Sequence, residues 1–432
     1  MSTEEPVVNH VELCVEDINY TISILKKFGF RVFAKRETVK CKQVALRLGK
    51  GIIFIVNKRV YHGKIVGSEC DSSNSFPVFV CCGDSKRHTI DSVFNVSFNV
   101  RNVYNLTKKI ASEIGSVILK PRTVTDEYGS VTFSCVRSCV GNVIHTLVNK
   151  TDYKGPFLPG FKIVEDEEFS CDDSGLQLEE IMTHVDHVTI AVTKGDSERV
   201  LKFYETCFGM KKFNISRDNE SDDGLILADS IGIKLKAMEY YRCAETGLIY
   251  PPSCQNRERN SNSLMLVVVE SLPGQADCNI ETFLREHQQG GIEHVALSTT
   301  NIYRAVSLMT VKGCSFRKPP RAYYSELRKM KEINEEEDIA SLEKLGILLD
   351  NESENLPEKS NCPKYLMQIF AHPIFLPAKT FFIEIIHRRN QARGLGQGNI
   401  IALVRSIREE EKRKLAESSK KQDIEEETSR VC

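Results

Sequence analysis

Two histidines and one glutamate, His187, His294 and Glu384, have the residue types and the setting of a metal site. His187 opens the run His-Val-Thr-Ile-Ala-Val, and His294 opens His-Val-Ala-Leu-Ser. Glu384 interrupts the apolar run from Phe381 to Ile386, where an unpaired carboxylate would be costly to bury. A divalent cation removes that cost. Two imidazoles and one carboxylate form a facial triad that leaves positions open for substrate and oxygen. Taken singly, each histidine reads as an ordinary hydrogen-bonded strand residue, and the glutamate as one that points at solvent. Their repetition at matched positions is what favours a shared ion.

The elements that must carry them repeat along the chain. The segment from Asn9, NHVELCVEDINYTISILKKFGFRVF, parallels that from Asp186, DHVTIAVTKGDSERVLKFYETCFGMKKF. Each reads as strand, polar turn, amphipathic helix, glycine and strand. Helical spacing shows in Ile22, Leu25 and Phe28, and in Leu201, Phe203, Tyr204 and Phe208, while Gly29 and Gly209 suit helix C-termini. The segments from Asn95 and His294 echo the same opening strand. Four units in two halves follow, and each half is expected to be a curled sheet with helices outside and a pocket within. The expected organisation is a metal-free structural domain over 5–155, a linker over 156–179 with Pro156 and Pro159 as breakers, a site-bearing domain over 180–405, and a charged tail over 406–432.

Strand alternation selects among neighbours. Val188, Ile190 and Val192 share one face, and His187, Thr189 and Ala191 the other; Val295 and Leu297 oppose His294, Ala296 and Ser298. By the same parity His184, Asp186, Glu293 and His387 point away from the triad. The counterparts in the first half are His10, Asn95 and His145, which make no metal site, so that half is read as structural with a vestigial pocket.

Composition excludes several classes. Among 432 residues the formal net charge is -1, and no basic stripe suggests nucleic acid. No apolar run is long enough to span a bilayer. Fifteen cysteines without a C-x-x-C pair read as reduced thiols, with Cys135 and Cys139 as strand residues rather than a bridge. The start Met1-Ser-Thr-Glu-Glu-Pro is acidic, unlike an Arg-rich targeting presequence. Residues 329–344 read as a solvated helix, and the segment from Asn399 as an amphipathic helix to about Glu411 that runs into charge.

At these residues the chain resembles the 4-hydroxyphenylpyruvate dioxygenases, from His10 to about Ser406. The densest pieces are Asp186-His-Val, Gly290-Gly-Ile-Glu-His-Val-Ala-Leu297, Ala322-Tyr-Tyr, Gln368-Ile-Phe and Phe381-Phe-Ile-Glu384. Tyr153-Lys-Gly-Pro-Phe-Leu-Pro-Gly-Phe161, Glu270-Ser-Leu-Pro-Gly274 and Gly394-Leu-Gly-Gln-Gly-Asn-Ile400 are similar to the dioxygenase-like branch of that family. The resemblance implies an α+β fold of four βαβββ modules, the vicinal-oxygen-chelate arrangement, with Fe(2+) held by His187, His294 and Glu384 in the second half only. It implies an aromatic 2-oxo acid, 4-hydroxyphenylpyruvate, and O2 as reactants. It implies a catalytic, substrate-binding Gln368, an aromatic wall at Phe370, and substrate contacts at Asn399 and Ile400. A C-terminal helix over the site mouth, homo-oligomers and a mitochondrial location are implied in the same way; the cytoplasm is the alternative compartment.

Some positions depart from the homogentisate-forming members. Ile400 stands in place of a second stacking phenylalanine, Val269 in place of a pocket asparagine, and Glu293 in place of a glutamine. A changed wall shifts the ring relative to the reacting oxygen, and small displacements decide which atom reacts. The expected product is therefore 4-hydroxymandelate, as a ubiquinone ring precursor, with homogentisate as the alternative. Residue types alone also allow zinc, a glyoxalase-like isomerase, a ring-cleaving dioxygenase, or a relative that binds a 2-oxo acid without turnover.

Overall fold

The computed structural model describes all residues except 1–6, 39–40, 60–89, 115–116, 165–172, 214–223, 228–230, 242–262, 275–277, 330–336, 353–362, 391 and 402–432. The first half forms one mixed sheet from β1 (Val8–Val15), β2 (Arg31–Thr38), β3 (Cys41–Leu48), β4 (Ile52–Lys58), β5 (Ser92–Asn99), β6 (Val117–Asp126), β7 (Gly129–Arg137), β8 (Ile144–Asn149) and β9 (Lys162–Ile163). The second half uses β10 (Met182–Ala191), β11 (Lys211–Phe213), β12 (Leu225–Leu227), β13 (Ile233–Tyr241), β14 (Ser263–Ser271), β15 (Gly291–Thr299), β16 (Leu348–Asn351), β17 (Tyr365–Phe370) and β18 (Phe382–Arg389). The strand orders are β6-β7-β8-β5-β1-β4-β3-β2-β9 and β11-β13-β14-β10-β15-β18-β17-β16. The two sheets share a plan. Antiparallel β1 and β5 are flanked by parallel β4 and β8, as antiparallel β10 and β15 are flanked by parallel β14 and β18. Four βαβββ units with helices outside curled sheets are the expected α+β fold.

Alternation explains which face packs where. Val188, Ile190 and Val192, Val295 and Leu297, and Ile383 and Ile385 all enter one apolar core. That core also takes Val200, Leu201, Phe203, Tyr204 and Phe208 from helix Ser197–Phe208, whose C-cap Gly209 is left-handed (φ 69°). The opposite face of β10, β15 and β18 is thereby left to line an interior space.

Three expectations change here. The stretch 156–179 is more than a linker: Phe157 and Leu158 are buried against the first sheet, β9 pairs with β2, and helix Asp173–Ile181 follows. Within 329–344 the described helix is Ile339–Leu345, and it buries Ile339 and Leu342 rather than being solvated all round. Cys139 lies in the turn after β7 instead of a strand, and it and Cys135 are free thiols. The start through Pro6 and the tail beyond residue 401 lie outside the described residues. Among the described residues no helix is long and apolar enough to cross a membrane.

Candidate metal centre

Pairing register brings the three chemistry-bearing side chains together. His187 pairs with Ala296 and Ala296 with Glu384, while His294 pairs with Thr189, one step along the same face. The ligand atoms all lie within 4.8 Å of one another. The two Nε2 atoms are 3.3 Å apart, and Glu384 Oε2 is 3.3 Å from His187 Nε2 and 3.5 Å from His294 Nε2. Donors about 2.0–2.2 Å from a shared ion lie roughly 2.8–3.6 Å apart, from octahedral to tetrahedral angles, so the triangle has the size of a metal cap.

Hydrogen bonding on the far side of each ring supports this fit. Asp186 Oδ1 is 3.0 Å from His187 Nδ1, and Glu293 Oε2 is 3.0 Å from His294 Nδ1. A carboxylate only accepts, so each Nδ1 carries the proton and each Nε2 keeps a lone pair. Two lone pairs and a carboxylate oxygen then face one another inside the protein, an arrangement that a cation satisfies. Burial opposes the charged form of His187, but the Glu384 and Asp186 carboxylates outweigh it and hold the pKa above its ordinary value.

Parity placed Asp186 and Glu293 facing away, and the structure corrects this. Register shifts fall between Val185 and His187 on β10, and between the partners of Thr189 and Ile190 on β15, so Asp186 and Glu293 are the extra residues of two β-bulges. A bulge re-aims its residue, and each carboxylate turns back onto its neighbouring imidazole. His184 and His387 stay out of the triad; His184 Nδ1 meets the Thr183 hydroxyl at 2.9 Å. Arg388, which sequence reasoning missed, donates through Nε (2.8 Å) and Nη2 (2.9 Å) to Asp186.

Glu384 has its own support. Gln368 Nε2 donates to Glu384 Oε1 at 2.7 Å, leaving Oε2 for an ion, and Asn399 Nδ2 donates to Gln368 Oε1 at 2.8 Å. Asn399, expected to touch substrate, is fully buried behind Gln368 and absent from the cavity wall. Gly396 makes this approach feasible: its φ is +69°, and a Cβ there would sit 2.0 Å from Gln368 Oε1.

The triad opens into a cavity of about 610 Å³. Gln368, Phe370, Val269 and Ile400 line it, with Ile231, Ile233, Leu235, Val267 and Leu395 as further aliphatic wall and Arg317 and Lys379 as cations. Phe382, two residues before Glu384 on β18, stacks on His294 with centroids 4.7 Å apart and meets Phe370 edge-on at 6.2 Å.

Comparison with known proteins agrees with this geometry. The profile of the Glyoxalase/Bleomycin resistance protein/Dioxygenase superfamily matches residues 184–338. The chain is 32% identical over 397 residues to the human 4-hydroxyphenylpyruvate dioxygenase-like protein, a match that covers 90% of this chain and 93% of that one. The chain belongs to the 4-hydroxyphenylpyruvate dioxygenase family. It is 28% identical over 328 residues to the 4-hydroxyphenylpyruvate dioxygenase of Neurospora crassa, covering 74% of this chain and 70% of that one. In fold it is similar to a triple mutant of 4-hydroxymandelate synthase from Streptomyces coelicolor, with a TM-score of 0.65 at 20% identity, covering 94% of this chain and 100% of that one. Membership places the chain among the dioxygenases, a class of oxidoreductases.

The first half of this dioxygenase-family chain shows how the same register looks when the triad is replaced. Asn95 pairs with Ile144 as His294 pairs with Phe382, so the position equivalent to Glu384 is Thr146, not His145. His145 faces the other way, with Nε2 2.9 Å from the Tyr204 hydroxyl of the second half. The centre is filled from within. Glu12 Oε1 accepts from Asn95 Nδ2 at 2.6 Å and lies 3.3 Å from His10 Nε2, and Asn9 Oδ1 is 2.7 Å from His10 Nδ1. Tyr153, Phe157 and Leu158 pack on the inner face of that sheet, and the Phe157 ring meets His10 edge-on at 6.0 Å. The vestigial pocket is thus plugged by the stretch read as a linker.

Proposed function

We propose that this protein is a non-haem Fe(2+) dioxygenase that converts 4-hydroxyphenylpyruvate and O2 to 4-hydroxymandelate and CO2. The observation that carries the reading is the convergence of two imidazole lone pairs and one carboxylate oxygen at the wall of an apolar, aromatic-edged cavity. Two histidines and a carboxylate with open positions are the donor set of non-haem iron oxygenases. Held by His187, His294 and Glu384, iron would supply Lewis acidity toward the 2-oxo acid group and the electrons that activate O2.

The chain's own residues orient the reactants and keep water out. Arg317 and Lys379 put positive charge at a cavity that must admit an anion. Gln368 fixes which oxygen of Glu384 faces the centre. Phe370 and Phe382 offer faces and edges to the substrate ring, and the aliphatic wall excludes water. Val269 and Ile400 as wall residues offer shape rather than an aromatic face or an amide on that side, which supports hydroxylation at the benzylic carbon as the outcome. In the balance, the carboxyl group leaves as CO2. One oxygen atom of O2 completes the new carboxylate and the other forms the benzylic hydroxyl.

Anaerobic loading with Fe(2+), followed by 4-hydroxyphenylpyruvate and O2 with mass-spectrometric identification of products, tests the proposal. Stoichiometric O2 uptake with 4-hydroxymandelate is expected. Homogentisate as the main product would overturn the product assignment, and absence of O2 uptake the reaction.

A further inference from the structure

We infer that Arg388 is a positioning residue that makes the orientation of His187 depend on the docking of segment 392–400. The inference rests on the proposal that the triad holds a metal ion. Arg388 follows Glu384 by four residues on β18, and its side chain is 8% exposed. Its Nε and Nη2 grip both oxygens of Asp186, and Asp186 Oδ1 also takes the proton of His187 Nδ1. Its Nη1 turns the other way and donates to the carbonyls of Gly394 at 2.9 Å and Ala392 at 3.3 Å.

Segment 392–400 is part of the cavity, since Leu395 and Ile400 form wall. Glu352 accepts from the backbone N–H groups of Arg393 (2.7 Å) and Gly394 (2.8 Å), and Asp350 accepts from Gly398 N–H at 3.2 Å. One planar guanidinium therefore spans from the support of a metal ligand to the segment that closes the pocket. A lysine has no such fork and cannot satisfy the carboxylate and the two carbonyls together. Because coupling between two sites is reciprocal, ion binding should tighten the segment as much as the docked segment tightens ion binding.

The test uses Co(2+) as probe, with affinity measured by competition against a chromophoric chelator, the absorption spectrum of the bound ion, and limited proteolysis within 389–400. For the unmodified chain, Co(2+) should slow cleavage of the segment. Arg388→Lys should weaken Co(2+) binding by about 10- to 100-fold, alter the spectrum and abolish the protection. Asp186→Asn, which keeps an acceptor for His187 but loses the ionic grip, should do the same and serves if the lysine variant does not fold. Glu293→Gln loosens His294 without touching the segment; it should weaken binding yet leave protection at saturating Co(2+). Unchanged affinity, spectrum and protection in folded Arg388→Lys or Asp186→Asn would overturn the inference alone. An unmodified chain that binds no divalent cation would overturn the metal reading and the inference with it.

Discussion

Replacing Glu384 by glutamine separates the role of this carboxylate in the fold from its role in ion binding. Glu384 is buried, its Oε1 engaged by Gln368 and its Oε2 facing two imidazole nitrogens. A glutamine of the same shape can accept from Gln368 through its oxygen and donate from its NH2 group to the Nε2 lone pairs. The metal-free variant should therefore fold as well as the parent, because no buried polar group loses its partner. Ion binding should fail, because the single anionic donor is gone. Metal at about 100 times its Kd stabilises the native state by about 2.7 kcal/mol. At about 2–4 °C per kcal/mol for a unit of 150–250 residues, that is a rise in Tm of about 5–11 °C. A loss of about 100-fold in affinity leaves about 0.4 kcal/mol at the same metal concentration, a rise of about 1–2 °C. Thermal melts of both proteins with and without Fe(2+) or Co(2+), run anaerobically, give the comparison. A full metal-induced rise in Glu384→Gln would refute the assignment of Glu384 as ligand. A large drop in metal-free Tm would refute the hydrogen-bond reasoning instead.

Gly396→Ala should cost about 1–3 kcal/mol in urea unfolding, since the residue is at φ +69° and its Cβ would strike Gln368 Oε1; an unchanged midpoint would mean that Gln368 has room to move. Ile400→Phe adds an aromatic wall to the cavity and should raise the share of homogentisate among the products; an unchanged ratio by mass spectrometry would remove Ile400 as a steering residue. Burial lowers the pKa of His145 to about 4 from an ordinary 6.5. The unfolded chain then binds a proton that the native state refuses. Stability should fall by about 3 kcal/mol as pH drops from 6.5 to 4. Denaturant melts across that window, compared with His145→Gln, should show a gap between the two proteins that varies with pH.

What could be read from the sequence was whatever strict alternation controls. Val188, Ile190 and Val192 went to the core and His187 to the cavity because β10 keeps its two-residue period between those positions. The same rule failed at Asp186 and Glu293, where a bulge adds one residue and resets the parity. Nothing in the residue types marks a bulge, although a carboxylate beside each candidate histidine was a usable signal. His145 was assigned to the place of Glu384 for a similar reason: one histidine in β8 was visible, but the register of β8 against β5 was not. Asn399 was carried over as a substrate contact, and its burial behind Gln368 depends on the left-handed Gly396, a tertiary approach that no periodicity encodes.

The two halves together explain why one repeated plan gathers the His-His-Glu set in only one of them among the described residues. In each half the central antiparallel pair faces inward residues at the same register, and each must satisfy polar groups buried there. The second half leaves two imidazole nitrogens and one carboxylate oxygen aimed at a common point, with the Thr189 hydroxyl 2.9 Å from His294 Nε2, an arrangement that a cation from outside would satisfy. The first half meets the same requirement internally. Asn95 supplies donors in place of a second imidazole, and the Glu12 carboxylate, from the β1 position that corresponds to Thr189, lies between His10 and Asn95. Asn57 Nδ2 donates to its other oxygen at 3.1 Å, so the anion is held by neighbours on three strands. With the Glu12 carboxylate engaged by these hydrogen bonds and Phe157 packed against the inner face, the described residues of the first sheet turn their one central anion inward instead of toward an ion. Among the described residues, the difference between the two lobes is thus one of hydrogen-bond accounting at matched register positions rather than of fold.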